Sequence, residues 1–196
     1  MTLRAITIRA PWSAIIAETA ALTSLGVAPK AVENRSRRVL DHFIGADIAI
    51  HAGRTWSVEG AADERVRRAW QAFHNAIDLR EPNPLLAAHG DTRTGYVGAL
   101  QPGLWIETGA VVAVATLVDC HPAMTIPALP GHPAHTCCQP WGEALHNGRT
   151  AHHLVLDHVR RLRDAVPARG SLTVPWTLPD DVEAAVLDQL GAGVAS

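Results

Sequence analysis

The 196-residue chain lacks several things, and each lack removes a class of function. It has no run of about 18 apolar residues, so no membrane-spanning helix is expected. Its opening, "MTLRAITIRAPW", holds a short apolar patch and no small-residue cleavage site. A secretory leader is therefore not expected, and the cytoplasm is the expected compartment. There is no basic excess: 17 Lys and Arg against 19 Asp and Glu leave a net charge of −2. That argues against coating nucleic acid by charge alone, though a local basic cleft is compatible with it. Cysteine is scarce. Cys120, Cys137 and Cys138 are odd in number and two are adjacent, which does not make a disulfide framework. Reduced thiols or metal ligands fit better. No internal repeat is present.

What is present is enough for a core. Nearly half the residues are hydrophobic, and the apolar runs are spread along the whole length. A single domain over 1–196 with long loop insertions is expected. "LRAITIR" alternates, with Ile6 and Ile8 on one face and Thr7 and Arg9 on the other, as in a half-buried strand. Pro11 can open a helix. Ile15, Ile16, Thr19 and Leu22 continue at helical spacing, and Gly26 and Pro29 end it.

"ADIAIH" reads as a strand with Ile48 and Ile50 on one face and Asp47, Ala49 and His51 on the other. From Ser57 to Ile77, Ala62, Val66, Trp70, Phe73 and Ile77 recur every three or four residues, an amphipathic helix. A long Pro- and Gly-bearing loop is expected over 79–109. "GAVVAVATLV" is continuous, β-branched-rich and predicted to be a central strand. Residues 121–150 read as loop, "HLVLDHVRRL" and "SLTVPW" as strands, and "DDVEAAVLDQLG" as a helix with an acidic start. Strands mixed with peripheral helices, without a regular βαβ rhythm, indicate α+β.

The stretch "PKAVENRSRR" crowds charge into ten residues. On a strand over 31–35, Glu33 and Arg35 share a face, and a turn after Pro29 can swing the Lys30 amine to the same side. Two readings follow from the spacing: a solvated edge whose ion pairs contribute about 0–1 kcal/mol, or groups converging on a ligand. Arg37 and Arg38 read as a solvated rim.

"RAITIRAPW", "KAVENRSRR", "IGADIAIHAG" and "GAVVAVATLVDCH", in that order, resemble the ASCH family, a branch of the PUA-like β-barrels, and "HLVLDHVRRLRDAVPARGSL…PW" resembles its closing strands. The family's Gly-x-Lys-x-x-Glu-x-Arg motif is matched by Lys30, Glu33 and Arg35, with Ala28 in place of the glycine. The resemblance implies a small barrel with peripheral helices, insertions at 61–107 and 122–150, and a cleft at the motif. It implies a partner that is RNA, another single-stranded nucleic acid, or a nucleotide or nucleoside. Arg35 and Lys30 suit a phosphate. Glu33 suits a base amine, and Trp12 a stacked base. His51 is a further candidate for the cleft.

Catalysis is the alternative. One branch of the family resembles an amidohydrolase acting on N4-acetylcytidine, with a threonine where this chain has Glu33. Thr7 and Ser13 are the nearest hydroxyls. Glu33 as general base and Lys30 as oxyanion stabiliser would be a different hydrolysis. Other members are proposed ribonucleases, for which Lys30 and Glu33 could serve as acid and base. A zinc-dependent or zinc-stabilised variant is the third reading. Cys120, His121, His132, His135, Cys137 and Cys138 fall in one loop, and His132-x-x-His135-x-Cys137 is close enough to chelate. No Cys-x-x-Cys pair occurs, so no metal or other cofactor is expected.

Overall fold

A computed structural model describes residues 2–78 and 107–192, with the backbone alone at 73–78 and 192. Residues 79–106 of the loop expected over 79–109, and the apolar side chains of Phe73 and Ile77, lie outside the described residues.

The alternating opening forms β1 (Arg4–Ala10), with Ile6 and Ile8 buried and Arg9 exposed. Two six-residue helices follow, α1 (Trp12–Ala17) and α2 (Thr19–Ser24). The single helix expected here is broken at Glu18. Its backbone leaves helical geometry, and its carboxylate reaches Arg161 at 2.7 Å. The Thr19 hydroxyl takes the Ile16 carbonyl at 2.7 Å, a local bond that competes with the helix ladder. Gly26, at φ +71°, ends the segment.

The charged stretch gives a short β2 (Val32–Arg35), and β3 (Asp47–Trp56) is longer than expected. The amphipathic helix is likewise split, into α3 (Val58–Ala62) and α4 (Glu64–Asp78). Asp63 makes the break: its backbone turns extended at ψ 122°, and its Oδ1 accepts from the Arg65 N–H to cap α4, while Ser57 Oγ accepts from Gly60 N–H to cap the start of α3. Val66 and Trp70 are buried as expected, but Ala62, beside the break, is exposed.

The continuous apolar run is β4 (Ala110–Pro122). After it come two small hairpins, β5 (Thr125–Ile126) with β6 (His135–Thr136), and β7 (Leu145–His146) with β8 (Arg149–Thr150). The chain finishes with β9 (His152–Pro167), β10 (Trp176–Thr177) and α5 (Asp180–Ala192). Of the expected strand "SLTVPW", only Trp176 pairs.

Six strands make one sheet in the order β10-β1-β3-β4-β9-β2. β4 is central, as its composition requires. Its bulges let Val112, Ala115 and Leu117 face one core while Val111 and Val114 face another. The first core joins Ile6, Ile8, Ile48, Ile50, Leu154 and Leu156 with Ile16 of α1. The second lies under α5, through Val182 and Val186. The fold is α+β. Among the described residues the sheet is not closed into the expected barrel. It curls until β2, at one end, faces β1, but a side chain spans the gap instead of a backbone ladder: Arg35 donates to the Thr7 carbonyl at 2.5 Å. β10 covers the outer edge of β1 only at Arg4 and Ala5. The Leu3 N–H also donates to Glu183 of α5 at 2.6 Å. Among the described residues, no helix is long and apolar enough to cross a membrane.

Candidate functional site

The gap between β1 and β2 is a cleft. Its free volume is about 550 Å³, counting the solvent-open mouth. Ile8 and Arg9 of β1 form one side and Glu33, Asn34 and Arg35 of β2 the other, with Trp12 and Trp141 as aromatic walls.

Lys30, Glu33 and Arg35 meet here. The Ala31 N–H donates to the Pro29 carbonyl at 3.1 Å, a tight turn that brings the Lys30 amine round to β2. Lys30 Nζ donates to the Val32 carbonyl and stands 3.4 Å from Glu33 Oε2. It also lies 5.4 Å from the Trp12 ring centre, within cation–π range. The amine is buried, and burial pushes its pKa below the ordinary lysine value. The carboxylates of Glu33 and Glu143 oppose that shift. Glu33 Oε1 is 3.1 Å from Arg35 Nε, close enough for an ion pair. The N–H is misdirected, however, and Nε has no hydrogen-bond partner.

Trp12 occupies the cleft wall. Its indole N–H reaches Ser57 Oγ at 3.3 Å. It packs so closely on Gly60 that a Cβ there would lie 2.8 Å from the ring. His51 is elsewhere, which corrects its expected place in the cleft. Thr7 and His51 pair in register on neighbouring strands, and His51 sits under the segment 168–170. It is buried, edge-on to Trp176, with Nε2 3.1 Å from the Ala168 carbonyl. Burial lowers its pKa. A neutral ring donating from Nε2 leaves Nδ1 bare, and no partner meets that atom. Its parity on β3 was legible, but which face opens to solvent was not.

Sequence reasoning missed several members of the cleft, among them Arg9, Asn34, Arg65, Trp141 and Glu143. Asn34 is buried and clamps the loop opposite: Nδ2 donates to the Trp141 carbonyl at 2.9 Å, and Oδ1 accepts from Glu143 N–H at 3.1 Å. That clamp sets Trp141 edge-on to Trp12 at 6.2 Å. The Trp141 indole N–H is buried without a partner. Arg65 from α4 stacks over Trp141 at 4.8 Å. Arg9, Lys30, Arg35 and Arg65 line the cleft with Glu33 and Glu143, and Arg65 is itself ion-paired with Asp63 at 2.5 Å, which leaves the cleft a small basic excess in a chain of net charge −2.

The two candidate hydroxyls do not meet a base. Ser13 Oγ is buried without a partner. Thr7 Oγ1 accepts from Trp176 Nε1 at 3.1 Å and from Ser171 N–H at 3.3 Å, on the His51 side. Arg38 is exposed and paired with Asp41. In the His- and Cys-bearing loop, His132 and His135 are exposed, whereas Cys120 is buried and accepts from Val39 N–H at 3.4 Å. No family model matches this chain, and no curated protein matches it, so the cleft is read from its own chemistry.

Proposed function

We propose that this protein binds RNA or a nucleotide, in the manner of an ASCH-like, PUA-related domain, through the cleft at Lys30, Glu33 and Arg35. The observation that carries the reading is a buried ionic row on the floor of a basic, tryptophan-walled cleft. Such a row is a poor device for stability, because desolvating the charges offsets most of their attraction. It suits a ligand that brings its own complementary groups. A phosphate takes Arg35, whose Nε has no hydrogen-bond partner. A base amine or ring N–H takes Glu33. The base lies against the Trp12 edge of the cleft. The gap where a closed barrel would seal is thus the ligand's place. Three free thiols accord with a reducing, cytoplasmic setting.

The test is a titration of single-stranded RNA and of the four nucleoside monophosphates. Arg35→Ala removes a charge-assisted contact and should weaken binding by roughly tenfold or more, with a shallower salt dependence. Glu33→Gln should alter base preference. Arg38→Ala should bind as the parent does. Thermal melts separate a lost contact from lost structure, since Arg35 also ties β2 to Thr7. Parental binding by both cleft variants would place the ligand elsewhere.

Hydrolysis is the second reading, favoured by one observation. Lys30 is a buried amine with a lowered pKa in contact with a carboxylate, a pairing that active sites use. Glu33 would then activate water and Lys30 would stabilise the developing oxyanion.

A further inference from the structure

Beyond the cleft, at the far end of β4 and β9, four side chains with metal-ligating atoms converge. His121 and His153 are cross-strand partners in the antiparallel pairing of these strands, with ring centres 5.4 Å apart. Cys137 and Cys138 come over them from the loop that follows β6. One donor atom from each residue lies within 4.8 Å of every other. Cys137 Sγ is 3.6 Å from His121 Nε2 and 3.3 Å from His153 Nδ1, and Cys138 Sγ is 3.4 Å from His121 Nε2.

The three sulfur–nitrogen separations are close to what a tetrahedral ion requires. With Zn–S near 2.3 Å and Zn–N near 2.0–2.1 Å, tetrahedral angles put sulfur and nitrogen about 3.6 Å apart. The orientation of the rings is set from behind. His121 Nδ1 meets Asp119 Oδ2 at 2.7 Å, and His153 Nε2 meets the Glu143 carbonyl at 2.9 Å. Each outer nitrogen therefore keeps its proton, and each inner nitrogen presents a lone pair toward the thiols. This is the outer support that zinc-bound histidines ordinarily have. Adjacent cysteines rarely face one point. Here Cys138 takes φ +61°, a left-handed turn that brings both sulfurs to the same side. Met124 N–H donates to Cys137 Sγ at 3.3 Å, a bond that suits a thiolate. Gly142 closes over the group. A Cβ there would lie 2.1 Å from the Cys137 carbonyl and 2.8 Å from the His153 ring.

We propose that His121, Cys137, Cys138 and His153 form a structural zinc site. Two sulfur and two nitrogen donors in a tetrahedron select zinc over calcium or magnesium. With four protein ligands the site has no open position for a substrate, so its role is to hold structure. On binding, two Zn–S bonds form and two thiol protons pass to solvent, leaving a neutral group of Zn²⁺ and two thiolates. The segment it fixes runs from Cys137 directly into Trp141 and Glu143, the wall of the cleft. The expectation of no metal came from spacing along the chain, where no Cys-x-x-Cys pair occurs. The donors are instead gathered from two strands and one turn, and His153 was not among the candidates. The exposed His132 and His135 stand outside the set.

The test is elemental analysis of the full chain, purified without chelator from zinc-supplemented medium. About one zinc per chain is expected. Cys137→Ser and Cys138→Ser should lower it below about a tenth per chain. The double variant His132→Ala/His135→Ala should keep it. Because the serine variants can fail to fold, Co²⁺ is also titrated into metal-stripped parent protein. The expected result is the intense visible d–d absorption of tetrahedral cobalt, with thiolate charge-transfer bands, saturating at one equivalent. Three results overturn the proposal: no zinc together with a featureless cobalt titration, zinc that leaves with His132 and His135 but stays in the serine variants, or two thiols lost to a Cys137–Cys138 disulfide in the metal-free protein as isolated.

Discussion

Replacing Glu33 by Gln tests the ionic row most directly, because it strands the Lys30 amine. That amine is fully buried and has Glu33 as its nearest carboxylate. Removing one partner of such a pair costs about 3–5 kcal/mol. A second argument sets a ceiling. The folded protein can always shed the lysine proton, and neutralising a lysine with a free pKa of about 10.4 costs about 4.6 kcal/mol at pH 7 but only about 1.9 kcal/mol at pH 9. The sign follows from proton counting. Between the lowered folded pKa of Lys30 and the unfolded value, the unfolded chain binds the extra proton, so stability rises with pH. Glu33→Gln lowers the folded pKa further and widens that window. The stability gap between variant and parent should therefore be largest near pH 7 and shrink toward pH 9. Lys30→Met/Glu33→Gln removes both charges and should abolish the extra slope, with stability near the parent and ligand binding lost. Urea unfolding at pH 7, 8 and 9 measures all three proteins. A gap that stays constant with pH, or a double variant that keeps the slope, refutes the account of Lys30 as a buried, Glu33-dependent charge.

Asn34→Ala should cost about 1–3 kcal/mol, since it leaves the Trp141 carbonyl and Glu143 N–H unpaired in the interior. Tryptophan fluorescence should report the displacement of Trp141, and an unchanged spectrum and melt would contradict the clamp. Gly142→Ala should lower the melting temperature, because overpacking against a backbone carbonyl costs about 1–3 kcal/mol or more. Turnover of N4-acetylcytidine should fall well below about 1 s⁻¹, as neither Thr7 nor Ser13 meets a base. A rate at or above that level in a chromatographic assay would identify a nucleophile not considered above.

The parts of the fold written in short-range pattern were legible. The alternation of 3–9 gave β1, the β-branched run gave the central strand β4, and the acidic start of 180–191 gave α5. The proximity of Lys30, Glu33 and Arg35 followed from strand parity and one turn. The breaks at Glu18 and Asp63 were missed because periodicity continues through them. A side chain that turns back on its own backbone, or a distant arginine, decided against the helix. The remaining cleft wall was illegible for another reason. Asn34 and Trp141 are 107 residues apart, and His121 meets His153 through strand register. Only the strand pairing reveals such meetings. Among the described residues the expected barrel is not closed, and Arg35 stands in the gap between β1 and β2.

The pairing of β1 with β10 bears on how the chain is made. Arg4 pairs with Thr177, and Leu3 is held by Glu183. The first strand thus waits, through the synthesis of about 170 residues, for the partner that covers its outer edge. Its other neighbour, β3, arrives early and lies parallel, an arrangement that nucleates slowly. A nascent chain halted before residue 176 exposes the Arg4–Ala5 edge of a strand whose inner face is apolar, and such an edge is open to pairing with other chains. Ribosome-bound or C-terminally truncated forms should accordingly recruit holdase chaperones, and release from them should coincide with the emergence of Trp176.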